Sequence, residues 1–376
     1  MSSARPSHQM INVPFLELLP AYLELKEEID DAVSRSFATG WYIGGKDVEL
    51  FERNYAEYCS AKHCIGVGNG LDALAIALTA FGVGPGDEVI VPSHTFIATW
   101  LAVSMTGASI VPVEPDEGTM NVTPHGIASA ITAKTKAIVP VHLYGLPCDI
   151  TAIKDIADAH EIPVIEDAAQ AHGATLEGNR VGSFGTTCCW SFYPGKNLGA
   201  FGDGGAITTD DDAIAEKARM IANYGSRKKY VHEVIGVNSR LDPVQAAILN
   251  VRLAVLDKWN ERRQSIADRY RLAFRNAEFE MQSIPTECRS SNHLFVIRHN
   301  DRQGWANDLA AVGIGTQIHY PIACRDQGGY IDSNLPLTPI ASKLAAEVIS
   351  LPIGPHMSPE QVDAVVHSVV ALENVD

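Results

Sequence analysis

From Cys64 to Ile207 short apolar runs alternate with amphipathic stretches, the pattern of strands and helices in turn. The runs Val89-Ile90-Val91, Ala137-Ile138-Val139, Pro163-Val164-Ile165 and Ala206-Ile207-Thr208 are short and rich in β-branched residues. Strands covered by helices on both faces read this way. Leu71, Leu74, Ala75 and Leu78 fall at helical spacing between the first two turns, so an α/β sheet with crossover helices is the simplest architecture. Upstream, Glu17 to Ala38 alternates apolar and charged residues at helical spacing until the Gly40–Gly45 region breaks it. After Asp242 the character changes. A long helical stretch, with Asp242 as cap and Pro243 in its first turn, runs to about Ala277 and is dense in Arg and Lys. Beyond it, His293–Arg298 reads as a strand and Gly304–Val312 and Ser358–Leu372 as helices. This predicts a large domain over residues 12–250 and a smaller α+β domain over residues 251–376.

Three stretches carry chemistry. Gly66-Val67-Gly68-Asn69-Gly70-Leu71 is a glycine-rich turn leading straight into a helix. Unpaired N–H groups and the helix dipole converge there, which suits a phosphate; an ordinary strand-to-helix turn has the same glycines. A dinucleotide fingerprint fits poorly, because Leu71 stands where G-x-G-x-x-G needs its third Gly or Ala. In the second stretch, Pro163 to Gln170, an apolar strand ends in Asp167 at the edge where ligands of open α/β sheets bind. An unpaired buried charge costs on the order of several kcal/mol, so Asp167 needs a partner: a cationic ring nitrogen would serve, and a helix N-cap is the other reading. The third stretch runs from Trp190 to Ala206 and holds one lysine, Lys196, among aromatic, small and glycine residues. A lysine so placed loses solvation, which lowers its pKa and makes the amine nucleophilic, as Schiff-base chemistry requires. A lysine in a mobile glycine loop is the alternative.

Composition narrows the classes. The 376 residues are 46% hydrophobic and 20% charged, enough for a sizeable core and for two domains. With 45 acidic against 29 basic side chains the net charge is -16, which repels nucleic-acid phosphates over most of the surface. The seven cysteines are odd in number and scattered, without a C-x-x-C pair, and read as buried reduced thiols rather than metal ligands. Met1 to Met10 is polar, so no secretory signal is expected, and no apolar run approaches the ~18 residues of a membrane span. A cytoplasmic protein without a metal is expected.

From about Gly40 to Arg263 the chain resembles the nucleotide-sugar aminotransferases of the DegT/DnrJ/StrS type, which use pyridoxal 5'-phosphate. The likeness rests on GVGNGLDAL, VPSHTFIATWLAVS, PVHLYG, VIEDAAQAHGA, SFYPGKNLGAFGDGGA, NYGS and GVNSRLDPVQAAIL. Within that family it is most similar to 3-aminotransferases acting on dTDP-linked 3-keto-6-deoxyhexoses. The resemblance implies an aspartate-aminotransferase-like (fold type I) large domain with a mixed, mostly parallel sheet. It implies Lys196 as the Schiff-base lysine and Asp167 as the carboxylate facing the pyridine nitrogen. Phe96 would stack on the ring, Gln170 would lie beside its hydroxyl, and Ser191, Asn69, Gly70 and Leu71 would hold the phosphate. Many relatives carry a hydroxyl residue at the Leu71 position, where here only the N–H remains. Asn238 matches an asparagine that crosses to the neighbour's phosphate, which implies a homodimer with shared active sites. His319-Tyr320-Pro321 matches an element near the sugar, although Ile322 to Gly329 departs from the usual continuation. Arg240, Lys228 and Lys229 are candidate pyrophosphate contacts. The implied reaction moves an amino group from L-glutamate to a keto sugar nucleotide. Its rivals are amination at C4, a dehydratase (a branch that carries histidine at the lysine position) and a non-catalytic sugar-nucleotide sensor.

Overall fold

Seven strands form one mixed sheet in the computed structural model, which describes residues 11–331 and 333–373. They are β1 His63–Val67, β2 Glu88–Pro92, β3 Ser109–Val113, β4 Thr135–Ile138, β5 Ile165–Asp167, β6 Thr187–Ser191 and β7 Gly205–Thr209. Hydrogen bonding orders them as β3-β2-β4 and as β5-β6-β7-β1. Parallel bridges Ile138↔Val164 and Val141↔Asp167 join the two sets. β7 runs antiparallel to both β1 and β6, while the pairs β2–β3, β2–β4 and β5–β6 are parallel. The stretch Met1 to Met10, read as lacking a secretory signal, lies outside the described residues.

Period-2 side-chain alternation accounts for the two covered faces. Ile65, Val89, Val91, Ala137, Cys189 and Ile207 point into one core with the helices Gly70–Ala80, Ile97–Thr106 and Asp212–Ala222. Cys64, Cys188, Trp190 and Ala206 point the other way, against Phe51, Tyr55 and Leu249 of the helices Lys46–Tyr58 and Pro243–Leu253. Ile90 and Ile138 meet Ile153 on the remaining part of that second face. The adjacent thiols of Cys188 and Cys189 therefore belong to opposite cores, and all seven cysteines are free.

The stretch read as one helix from Asp242 to Ala277 is two, Pro243–Leu253 and Leu256–Ala273. The first buries Ala246 and Leu249 against the sheet, and the second buries Ile266, Ala267 and Tyr270 against a different core. One straight rod cannot present its apolar stripe to both, so the chain turns at Ala254 and Val255. Asp242 occupies the cap position, though its side chain makes no capping hydrogen bond. The Glu17–Ala38 pattern likewise divides into Leu19–Glu24 and Lys26–Ala38. Downstream, Glu280–Met281, Phe295–Arg298 and Val348–Leu351 form an antiparallel sheet under the helices Arg302–Ala311 and Pro359–Glu373. Phe274, Phe295, Trp305 and Val365 fill its core. Among the described residues no helix is long and apolar enough to cross a membrane.

Candidate active site

Because β5 and β6 are parallel neighbours, they deliver Asp167 and Ser191 to the same sheet edge. Lys196 follows on the loop between β6 and β7. That loop is pinned by Phe192 N–H to Gly204 O at 2.7 Å, Ala200 N–H to Phe192 O at 2.7 Å and Lys196 N–H to Tyr193 O at 2.8 Å. A cavity of about 460 Å³ opens at this edge. Asn69, Gly70, Leu71, Phe96 and Asp167 line it, and so do Gln170, Ser191, Lys196, His319 and Tyr320.

Asp167 is buried and has no cation paired to it among the described residues. Its Oδ2 accepts from Thr99 Oγ1 at 2.9 Å and its Oδ1 from the Ala169 N–H at 3.2 Å. Burial pushes its pKa up, against those two hydrogen bonds and the Lys196 charge. No helix follows Asp167, since residues 168–174 are turn and irregular backbone, so the N-cap reading of Asp167 does not hold. Burial likewise brings the Lys196 amine down to about 8, with the Asp167 charge opposing. Only the neutral amine attacks an aldehyde. Capture of pyridoxal phosphate by cofactor-free protein is therefore expected to speed up with rising pH, about tenfold per unit, and to level off above about 8. Stopped-flow absorbance against pH checks this, and a rate still climbing at pH 10 would contradict the depressed amine.

At the glycine-rich turn Asn69 caps the Gly70–Ala80 helix, its Oδ1 accepting from the Asp72 N–H at 2.8 Å. The first main-chain bond of that helix is Ala73 N–H to Asn69 O at 3.1 Å, so the N–H groups of Gly70 and Leu71 lie ahead of it. A Cβ on Gly70 would stand 2.7 Å from Ser191 Cβ. Glycine is needed here because the Ser191 side chain closes over the first turn, with its hydroxyl 3.3 Å from that same Cβ position.

Phe96 is half exposed, its ring 5.2 Å from that of Tyr320 and tilted by 37°. Gln170 accepts the Tyr144 N–H at 2.6 Å and donates through Nε2 to the Tyr320 hydroxyl at 3.2 Å. Tyr144, at φ 62°, sends its own hydroxyl to the His319 carbonyl oxygen. The two residues thus tie His319-Tyr320 to the large sheet. Burial, with the Lys196 charge, lowers the His319 pKa to about 4, so the ring is neutral.

Asn238 and Arg240 are not brought to this cavity within one chain. Asn238 is exposed and bridges to Asn223, and Arg240 donates to Asn223 Oδ1 at 3.1 Å beside a separate cavity. Lys228 and Lys229 are exposed on the same side.

Several site residues are not singled out by sequence reading. Thr99, one helical turn after Phe96, could have been found as the polar residue facing back toward the sheet. Glu166 could not. It is wholly buried beneath Asp167 and accepts from His142 Nε2 at 2.7 Å, from Cys188 Sγ at 3.0 Å and from Thr186. Burial alone would raise its pKa, but these hydrogen bonds outweigh it and the net direction is down.

The DegT/DnrJ/EryC1/StrS aminotransferase family matches residues 23–370. The chain belongs to that family. Among its members, "Erythromycin biosynthesis sensory transduction protein EryC1" of Saccharopolyspora erythraea is 50% identical over 364 residues, covering 96% of this chain and 100% of the relative. The "dTDP-3-amino-3,4,6-trideoxy-alpha-D-glucose transaminase" of Streptomyces venezuelae is 48% identical over 362 residues, 95% of each chain. Among solved members, S. venezuelae DesV in complex with a ketimine intermediate superposes with a TM-score of 0.95 at 46% identity, covering 96% of this chain and 98% of that one.

The residues present fit the cofactor of such aminotransferases. Asp167 is a buried carboxylate without a cation, the partner that a protonated pyridine nitrogen requires. Gly70, Leu71 and Ser191 form an N–H and hydroxyl cradle that a Cβ at position 70 would fill. Phe96 offers an open ring face between them.

Proposed function

We propose that the chain uses pyridoxal 5'-phosphate to move an amino group from L-glutamate to a dTDP-linked 3-keto-6-deoxyhexose, giving a dTDP-3-amino-3,6-dideoxyhexose. The observation that carries this reading is one cavity that brings together a lysine whose amine pKa is lowered to about 8, on the loop after β6, and a buried carboxylate without an ion pair at the end of β5. When bound, the cofactor supplies an aldehyde for the incoming amine and a cationic ring that stabilises charge at the α-carbon. Asp167, oriented by Thr99 and the Ala169 N–H, keeps that ring nitrogen protonated. Gly70, Leu71 and Ser191 hold the phosphate, and Phe96 covers the ring. Gln170 sits at its hydroxyl side, anchored by the Tyr144 N–H. Lys196 anchors the resting state and, once displaced, takes the donor's α-proton on Nζ.

The active unit in this reading is a homodimer in which Asn238 of one copy reaches the phosphate of the other. Its support is a broad exposed apolar surface around Asn238, with Tyr230 82% and Ile235 95% exposed. His319, Tyr320 and Arg240 are the candidate sugar-nucleotide contacts. Seven free thiols fit a reducing cytoplasm. Lysine rather than histidine at position 196 favours aminotransfer over dehydration. The sensory-transduction name of one relative keeps a sensing role in view.

Supplying glutamate with a panel of 3-keto and 4-keto nucleotide sugars separates these readings. Formation of 2-oxoglutarate and an amino sugar is expected with the 3-keto compounds. Preference for 4-keto compounds would move the amination site, and absence of any turnover would leave the sensor.

A further inference from the structure

A second, smaller cavity of about 50 Å³ adjoins the main one and shares Lys196, Gly195 and Arg263 with it. That volume holds one small group, since a single water needs roughly 10–15 Å³ on this measure. Its walls are unusual in charge. Arg252 and Arg263, both buried, line it, and neither pairs with a carboxylate among the described residues. Arg252 donates through Nη1 to Gly199 O at 2.5 Å, while its Nε is buried with no partner. Arg263 spends one nitrogen, Nη1, on the carbonyls of Asn292, His293 and Ile353 at 3.1–3.4 Å. The Trp259 indole N–H, on the same wall, is also buried without an acceptor, and its ring lies 5.2 Å from the Arg252 guanidinium.

Contrast with Arg298 shows how far this departs from the rest of the chain. Arg298 is just as buried, and Glu117, Glu280 and Glu347 surround it. At the small cavity burial pulls Arg252 and Arg263 down to about 10, and the Arg252 charge depresses Arg263 further. Two like charges held together out of water, with two N–H donors left over, lack an anion. Glu17 stands on the rim but is exposed and makes no ion pair with either guanidinium.

We propose that this cavity receives a carboxylate of the amino donor, held by Arg252 and Arg263 with the Trp259 indole N–H. The inference rests on the aminotransfer reading above. The cavity is too small for a nucleotide or a sugar. It opens beside Lys196, where the donor's amine must arrive, and every amino-acid donor brings a carboxylate attached to that same carbon skeleton. The arginines thus select an amino acid in one half-reaction and leave the main cavity to the sugar in the other.

The test uses the cofactor-loaded protein and follows the spectral change on mixing with L-glutamate or with an amino sugar nucleotide. In Arg252→Gln the half-saturating concentration for glutamate, relative to that for the amino sugar, is expected to rise about tenfold or more. Glutarate, which has both carboxylates and no amine, is expected to bind the wild type in a calorimeter and to lose that affinity in the variant. Trp259→Phe keeps the ring and removes one N–H, so a smaller rise of a few fold is expected even where Arg252→Gln folds poorly. Equal glutamate half-saturation and equal glutarate binding in wild type and both variants would overturn the carboxylate site. A wild type that amino sugars convert and glutamate does not would overturn it while sparing aminotransfer. Conversion by neither would overturn both.

Discussion

Replacing Lys196 with alanine is expected to abolish turnover, with a loss on the order of 10⁴-fold or more, because in the proposed mechanism one side chain both anchors the cofactor and moves the proton. The lesion should be chemical rather than structural. Among the described residues Lys196 makes no side-chain hydrogen bond or ion pair, and burial already disfavours its charge. Cofactor-free Lys196→Ala is therefore expected to melt at or slightly above the wild-type temperature, while the absorbance of the lysine–cofactor linkage disappears. A small exogenous amine should restore part of the proton transfer but not the linkage. Retained transamination without added amine would remove Lys196 from the mechanism.

Asp167→Asn is expected to cost on the order of 10²–10³-fold in rate, the scale of losing one preorganised charge at a buried centre. Asparagine keeps the shape: its one oxygen can still accept the Ala169 N–H, and its amide N–H can donate to the Thr99 hydroxyl where the carboxylate accepted from it. What it cannot do is hold a proton on the opposing ring nitrogen. Burial opposes the Asp167 charge in the cofactor-free protein, so the neutral variant should be no less stable there. The stabilisation that bound cofactor confers should shrink instead. Differential melting with and without pyridoxal phosphate separates the two effects, and a rate near wild type would disprove the ion pair.

Both residues were legible in the chain because their signals are local. A lone lysine among glycines and aromatics, and a carboxylate ending an apolar run, need no knowledge of distant contacts. The strand pattern was legible for the same reason: short apolar runs whose successive side chains enter opposite cores on β1, β2, β6 and β7 follow from the backbone alone. The donor cavity was not. Arg252 and Arg263 sit in a stretch dense in basic residues, and such runs read as solvated faces. Their burial comes from packing two separate helices against two separate cores, and the turn at Ala254–Val255 that permits it leaves no composition signal. The Tyr144–His319 and Gln170–Tyr320 ties are invisible for a similar reason, since their partners lie 175 and 150 residues apart.

One of the two bridges that join the parts of the large sheet passes through Asp167 itself. Its N–H donates to Pro140 O at 2.8 Å and its carbonyl accepts the His142 N–H at 3.1 Å. The charged residue is thus a rivet as well as an electrode. Any shear between the three-stranded and four-stranded parts would drag the carboxylate out of line before it disturbed either hydrophobic core. Assembly of the seam and alignment of the charge are consequently a single event, and a chain that has not completed the one has not acquired the other.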